Sequence, residues 1–469
     1  MRNLTLVAAA VSAVLGTAVA QADQPTLATV QAALTAKTAA QFFISGSSAA
    51  KNGVRAFVQS QLCGNGTTGT LTTFLSSAPV SNPDFNAWAC TATAGPNSGA
   101  INVIYYRAEG GSVVGVYPII NNVSVFQLDL TAANTTCAPS TTTAGTYNCP
   151  VSGSSLAQGP SDSWGPVGVF KSTSDYGISD LEPDAFVGNN SPYAAAPPAG
   201  YVLNTFGPAR TQAQLKAISH TTIFQQTFGV VVNTSLPVSS LSKSAIANVL
   251  AGNYVDWSSV PAFGAASPGS GVTSGSTPIF VCNREVGSGT RTASAIYFLG
   301  DHCVGGAPSV SEGGNDNYAT SDELVCVSNN GSANGAATGS LAIGYASVDN
   351  ASKVGAGTSA PNAKFISIDG VAQTNYNSAT GQSDFAFEAT AQANAASGHA
   401  GANNYVAFFQ PRLQAIGTAP QSAQVNAIPG QPAGNSAQLP LQASGAIFTT
   451  DFDRGGQAGN SCNAYGSVN

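Results

Sequence analysis

Pro278-Ile-Phe-Val-Cys-Asn-Arg-Glu-Val-Gly-Ser-Gly-Thr-Arg-Thr-Ala-Ser-Ala-Ile-Tyr-Phe-Leu299 is the stretch whose reading decides the fold. Pro278 to Asn283 is β-rich and short, which predicts a buried strand. Arg284 to Arg291 is a glycine-rich turn, and Thr290 to Leu299 reads as a helix. Glycines let the backbone turn sharply and bring its N–H groups close to a ligand. The helix start offers N–H donors and a positive dipole end, Ser288 and Thr290 add hydroxyls, and Arg284 can clamp two oxygens at once. Every element suits an oxyanion. Taken alone, Gly-Ser-Gly-Thr is also how an ordinary helix begins, with a Ser or Thr cap. The Gly-x4-Gly-Lys-Ser/Thr spacing of a nucleotide phosphate loop is missing.

Strand, small-residue turn and helix recur outward from this point, which predicts an α/β protein. Ala40 to Ile44 reads as a strand, Ser45-Gly46-Ser47-Ser48 as a tight loop, and Ala49 to Leu62 as a helix with Val54, Phe57, Val58 and Leu62 on one face. Ile101 to Tyr106 reads as a strand running to Gly110-Gly111-Ser112. Phe228 to Asn233 and Leu341 to Tyr345 read as strands, and Leu241 to Ala251 as a helix stopped by Gly252. Residues 113 to 170, rich in Thr, Ser, Asn and Gly, read as a partly β insertion. The Pro- and Gln-rich tail after 415 reads as loops or an extended arm.

Tyr176-Gly-Ile-Ser-Asp180 places an acid after a strand end. Such an acid often caps a helix. Facing an anion, it repels any ligand that has no proton to donate. Phosphate carries one near neutral pH and sulfate does not, so one buried acceptor can separate them by a missing hydrogen bond and a lone-pair clash.

In this order, these segments resemble the phosphate-binding proteins of bacterial phosphate ABC importers, of the type 2 periplasmic binding protein class. The family's Gly-rich first loop is similar to Ile44 through Ala50, and its Tyr-x3-Gly-Ser-type second loop to Tyr106 through Ser112. Its Gly-x-Ser-Asp is similar to Gly177 through Asp180. Its Val-Val-Val-Asn crossover and following Trp turn are similar to Val230 through Asn233 and Gly252 through Trp257. Its Arg-x-x-Gly-Ser-Gly-Thr is similar to Arg284 through Thr290, and its Gly-Ala-Ile-Gly-Tyr to Gly339 through Tyr345. The resemblance implies that Ser112 donates to phosphate, Asp180 accepts its proton, Arg284 pairs with its oxygens, and Ser288, Gly289 and Thr290 donate from the helix start. Two positions depart from the family. Ala50 stands where a Thr is usual, with Ser47 or Ser48 available as the hydroxyl donor. Val286 stands where an acid usually partners the arginine, which leads to the expectation of a freer Arg284.

The fold expected is therefore α/β: a two-lobe type 2 periplasmic-binding-protein fold with a ligand cleft between lobes joined by a two-strand hinge. Residues 21–230 with 346–469 would form lobe one and 231–345 lobe two, with crossovers near 229–234 and 344–348 and closure on the ligand. The expected partners are inorganic phosphate and an ABC permease, the protein delivering or sensing phosphate without changing it. No cofactor, metal or catalytic residue is expected.

Composition sets bounds on this. The chain has 469 residues, only 8% of them charged, against ~25% in a typical protein, and a net charge of −7. No basic patch is evident, which argues against nucleic acid, and attraction of an anion must be local. Arg2, an apolar run from Leu4 to Val19 and Ala18-Val19-Ala20 predict a signal peptide over 1–20. No later run is long enough to predict a membrane span. Eight cysteines in an exported chain imply disulfides, with Cys137–Cys149 favoured by spacing and Cys63–Cys90 next. Location is thus periplasmic or secreted. Two rival readings remain. One is a secreted or surface-associated structural or adhesive protein on the same fold, suggested by the low charge. The other, ranked last, is a secreted phosphatase, for which three scattered His offer no metal or Ser-His-acid set.

Overall fold

A computed structural model of the chain describes residues 24–59, 63, 71–77, 85–92, 99–108, 110–131, 136–151, 168–181, 183–191, 207–216, 224–263, 272, 275, 277–299, 317, 319–369, 376–377, 382–383 and 406–413. The expected leader over 1–20, Glu109 in the second loop and the tail after 415 lie outside the described residues.

The first lobe opens with α1 (Leu27–Thr35), whose N-cap Thr26 accepts from the Thr29 N–H and which buries Val30 and Leu34 one turn apart. It leads to β1 (Ala40–Gly46) and α2 (Lys51–Phe57), a helix that starts two residues later than Ala49 and buries Val54. Then come β2 (Thr72–Ser77), β3 (Phe85–Thr91) and β4 (Ile101–Arg107). β1 lies parallel between β4 and β9 (Tyr176–Ser179). A strand so placed is covered on both faces. Accordingly Phe42 and Ile44 enter one apolar cluster with Trp88 and Tyr106, while Phe43 stacks on Tyr105 from the other side at 5.0 Å. Gly46 has φ +142°, and a Cβ there would fall 1.8 Å from the Ile178 carbonyl oxygen. Only glycine lets the chain leave β1 this close to β9.

Between β4 and β9, residues 112–115 form a 3-10 turn leading into α3 (Tyr117–Asn121). Composition reads 113 onward as an insertion, yet Val113, Val114 and Tyr117 are fully buried. The apolar residues here are few but packed, and the surrounding Ser and Thr hide them in a bulk count. Farther on, β5 (Ser124–Leu128) pairs antiparallel with β8 (Val169–Thr173), and β7 (Thr146–Pro150) adds to the main sheet beside β2, with β6 (Ala138–Pro139) at its edge. Cys137–Cys149 staples this hairpin and Cys63–Cys90 ties the segment after α2 to β3, both as the spacing suggests.

After the short helix α4 (Gln212–Lys216) comes β10 (Phe224–Asn233), which carries the chain across. Its first four residues pair with β17 (Val406–Leu413), and the following ones pair with β13 (Leu341–Ser347) and β14 (Ala363–Ile368). β10 and β13 run antiparallel side by side, with Val230 opposite Tyr345. The second lobe adds β11 (Ser240–Leu241), α5 (Lys243–Leu250), β12 (Ile279–Val281), α6 (Gly289–Ser294), which widens into π-type turns over Ala295–Leu299, and α7 (Thr320–Ser328). α5 is capped by Ser242, whose hydroxyl accepts from Ala245 N–H at 3.1 Å, and Gly252 follows its end. Val230, Val232, Ile246, Val249 and Trp257 share one core, while Val231, Leu324 and Val327 share another across the sheet. The valine run of β10 thus faces both layers. The main sheet runs in the order β11-β14-β10-β17-β9-β1-β4-β3-β2-β7-β6, and β13 joins it through β10 with β12 beyond. The fold is a two-lobe α/β arrangement. Among the described residues no helix is long and apolar enough to cross a membrane.

A third disulfide, Cys282–Cys326, joins the residue after β12 to α7 across 44 residues of chain. Closing a loop of that length removes denatured-state entropy worth about 4 kcal/mol. C282A/C326A is therefore expected to lose about that much stability, read as a lowered urea midpoint beside the intact protein.

Candidate functional site

The site lies where the loops after β1, β4 and β9 in the first lobe meet the β12–α6 turn and the start of α7 in the second. The sequence-predicted residues converge here. Ser47, Ser48, Ser112, Asp180, Arg284, Ser288 and Thr290 are each at most 8% exposed, and Gly289 is buried with them.

The first loop is fixed by its own hydrogen bonds. Ser47 N–H donates to the Ile178 carbonyl at 3.0 Å, and its carbonyl accepts from the Tyr106 hydroxyl. Its hydroxyl accepts from Ala50 N–H at 3.1 Å and donates to Asp180 Oδ1. Asp180 sits just past β9, its backbone N–H held by Ser112 Oγ at 3.2 Å. Thr290 Oγ1 reaches across from the second lobe to Asp180 Oδ2 at 3.3 Å. Burial pushes the Asp180 carboxyl up to about 6, against the pull of the Ser47 hydroxyl, the Arg284 charge, Thr290 and Ser112. It is thus chiefly ionised at neutral pH and neutral in mild acid.

Arg284 is 1% exposed, and its guanidinium is held on every side. Nε donates to the Asn317 carbonyl at 3.0 Å, Nη1 to Thr320 Oγ1 at 3.1 Å, and Nη2 to Ser48 Oγ at 3.1 Å and Glu285 Oε1 at 3.3 Å. The expectation of a freer Arg284 is therefore corrected. Val286 carries no acid, but Glu285 beside it forms a buried ion pair. Burial alone would loosen the arginine's proton, and Glu285, Glu323 and Asp180 offset that and hold it charged.

Ser288 caps α6, its hydroxyl accepting from Arg291 N–H at 3.3 Å. Gly289 is where the lobes touch: a Cβ there would lie 2.3 Å from Ser112 Oγ and 2.7 Å from Asp180 Oδ2. Val113 N–H also donates to the Gly287 carbonyl at 3.1 Å.

Four participants escaped the sequence reading. Glu285 was within the quoted motif, and its charge beside Arg284 was the available signal. Thr320, Asn317 and Glu323 lie in segments without a motif. Glu323 is fully buried, accepts from Tyr345 N–H at 2.8 Å through Oε1, and is pushed up to about 8 by burial, with Arg284 and that N–H opposing and Glu285 assisting. Among the described residues no cluster of three or more His, Cys, Asp and Glu is placed to hold a metal.

No family model and no curated protein matches the chain. Solved structures do match. The chain is similar to a putative phosphate ABC transporter substrate-binding protein with bound phosphate from Clostridium perfringens, at 13% identity and TM-score 0.43 over 88% of this chain and 99% of that one. It is similar to an ABC-type phosphate transport receptor from Vibrio cholerae at 15% identity and TM-score 0.32, over 59% and 81% respectively. It is also similar to PstS from Borrelia burgdorferi at 10% identity and TM-score 0.33, over 88% and 98%.

Proposed function

We propose that the chain is an extracytoplasmic solute-binding protein that takes inorganic phosphate, or a similar tetrahedral oxyanion, between its lobes for ABC-type uptake or sensing, and releases it unchanged. The observation that carries this reading is the opposition of Asp180 and Arg284 across the lobe junction, each buried and each reached by a hydroxyl of the other lobe. A protonated oxyanion fits both. Its proton goes to Asp180, its other oxygens to Arg284, Ser112, Thr290 and the Ser288–Gly289 turn, with Ser47 and Ser48 completing the first-lobe side. Entering, it replaces the direct Thr290–Asp180 and Arg284–Ser48 contacts with its own oxygens, so the lobes part and close again around it. On this reading lobe one comprises 21–230 with β17, which pairs with β9 and the start of β10. Lobe two comprises 231–345 with β14, which pairs with β11 and the end of β10 and shares the core of Ile246 and Trp257. β10 is then the crossing strand, and the return comes after β14 and not at the expected 344–348. Export by a cleaved leader belongs to the same proposal.

Calorimetry on phosphate-stripped protein tests it: heat with phosphate at neutral pH is expected, and none would reject the reading. Asp180→Asn replaces an acceptor by an amide and relieves the repulsion of unprotonated anions. A hydrogen bond to a charged group is worth ~1.5–3 kcal/mol. The phosphate-over-sulfate ratio is therefore expected to fall roughly ten- to hundredfold, and an unchanged ratio removes Asp180 from the proton-acceptor role. The wild-type ratio should likewise narrow as pH drops below 6, where Asp180 takes up its own proton.

A further inference from the structure

Near Arg284 the second lobe buries a carboxyl, Glu323, to which the oxyanion reading gives no contact with the anion. Thr320 and Glu323 stand three residues apart on α7 and so share a face, and Thr320 already touches Arg284. Glu323 takes the Tyr345 N–H, the Tyr345 hydroxyl donates to Asn283 Oδ1, and the same Asn283 oxygen accepts the Arg284 N–H at 3.2 Å. A hydrogen-bonded ring thus runs from α7 through β13 to the residue that would hold the ligand and back. Within it, Glu323 Oε2 is buried with no hydrogen-bond partner among the described residues. An ionised oxygen without a donor in a dry interior is costly, whereas a protonated one removes the charge.

Resting on the oxyanion reading above, we propose that Glu323 is a positioning residue that sets the charge of the anion site: it is neutral when an anion sits against Arg284, and its ionisation opposes that anion. The charge count around Arg284 supports this. The groups that face Glu323 are Arg284 and Glu285 from the β12–α6 turn and Tyr345 from β13, with Arg291 of α6 acting on Tyr345 and Asp180 approaching Arg284 from the first lobe. One arginine here is surrounded by three carboxyls. With all of them ionised, an added anion would be the fourth negative charge beside two positive ones, Arg284 and the Arg291 guanidinium that donates to the Arg284 carbonyl at 2.8 Å. With Glu323 neutral, Glu285 balances Arg284, and Asp180 is left to receive the ligand's proton. Because affinity and proton binding are reciprocal, an anion raises the affinity of Glu323 for its proton, and alkaline pH that strips the proton weakens the anion. The burial-raised position of Glu323, about 8, puts this exchange just above neutrality.

Glu323→Gln tests the proposal, since the amide keeps an oxygen for the Tyr345 N–H and cannot ionise. Phosphate affinity of wild type and E323Q is measured by calorimetry between pH 6.5 and 9.5. The ligand's own second ionisation is common to both proteins and cancels in the ratio of their affinities. If anion and proton on Glu323 are coupled by about one pKa unit, wild type loses about tenfold more affinity than E323Q over this range. Equal profiles in two phosphate-binding proteins overturn the Glu323 role and leave the oxyanion reading standing. Absence of phosphate heat in both overturns the oxyanion reading and the proposal with it.

Ligand-free melting supplies a second readout. A carboxyl raised from 4.5 to about 8 binds more protons folded than unfolded between those values, so wild-type stability falls as pH rises through that window. The melting temperature of E323Q relative to wild type should climb from pH 5 to pH 8 and then level. A constant difference overturns the proposal. If E323Q does not fold, Glu323→Met, similar in length and equally unable to ionise, is expected to show the same flattened profile. Thr320→Val, which loses a contact to Arg284 but no proton, should lower affinity with the wild-type pH profile intact.

Discussion

Replacing Arg284 with methionine is expected to abolish detectable phosphate binding and to cost the fold about 3–5 kcal/mol. Methionine fills much of the volume, so packing is the smaller part of the loss. The larger part is electrostatic. Glu285 is 2% exposed and would keep its charge in the interior after losing its counter-ion, and removal of one member of a buried pair is what makes such pairs expensive to break. Ser48, Thr320 and the Asn317 carbonyl would lose a donor at the same time. Urea unfolding reads the stability and calorimetry the binding. The double variant Arg284→Met/Glu285→Gln separates the two effects: most of the stability should return, while binding stays absent. A single variant as stable as wild type would show that Glu285 does not depend on Arg284.

Gly289→Ala should have the opposite signature, with binding weakened and the lobes intact. A helix position gains up to ~1 kcal/mol when glycine becomes alanine, so α6 itself is not weakened. The new methyl, however, meets Ser112 Oγ at 2.3 Å and the Asp180 Cβ at 2.6 Å, both in the other lobe. Overpacking of this kind costs roughly 1–3 kcal/mol, and the lobes avoid it by not closing. Phosphate affinity should therefore fall roughly ten- to hundredfold, while the melting temperature without ligand holds or rises. Small-angle scattering should also find the variant more open than wild type with phosphate present. Wild-type affinity with alanine at 289 would mean that the ligand is held without the lobe contact made at Gly289.

Much of this site is legible in the sequence because the chemistry of its two halves is local. Arg284 through Thr290 is a strand end, a glycine turn and a capped helix in one run, and Ser288 caps as a serine there should. Asp180 after β9 and Ser112 after β4 are each short-range features of a strand end. Bulk composition is a weaker guide than turns and caps, because it hides a few packed apolar residues among many polar ones. Residues 113 to 119 are packed into the core although their surroundings read as an insertion. The helix after Ala50 starts two residues later than its apolar spacing suggests and turns π-type over 58–59, with its expected end at Leu62 outside the described residues.

The sequence alone determined the α/β alternation and the residues that meet at the lobe junction, and its spacing favoured two of the disulfides. Those depend on turns, caps and spacings that a few neighbouring residues decide. Only the tertiary structure decided how charge is balanced there. That Glu323 is buried beside Arg284 and that Cys282 bonds Cys326 across 44 residues both depend on α7 docking against β13. Ion pairing and burial act between groups close in space, and no spacing in the chain announces which distant helix will bring its carboxyl to an arginine.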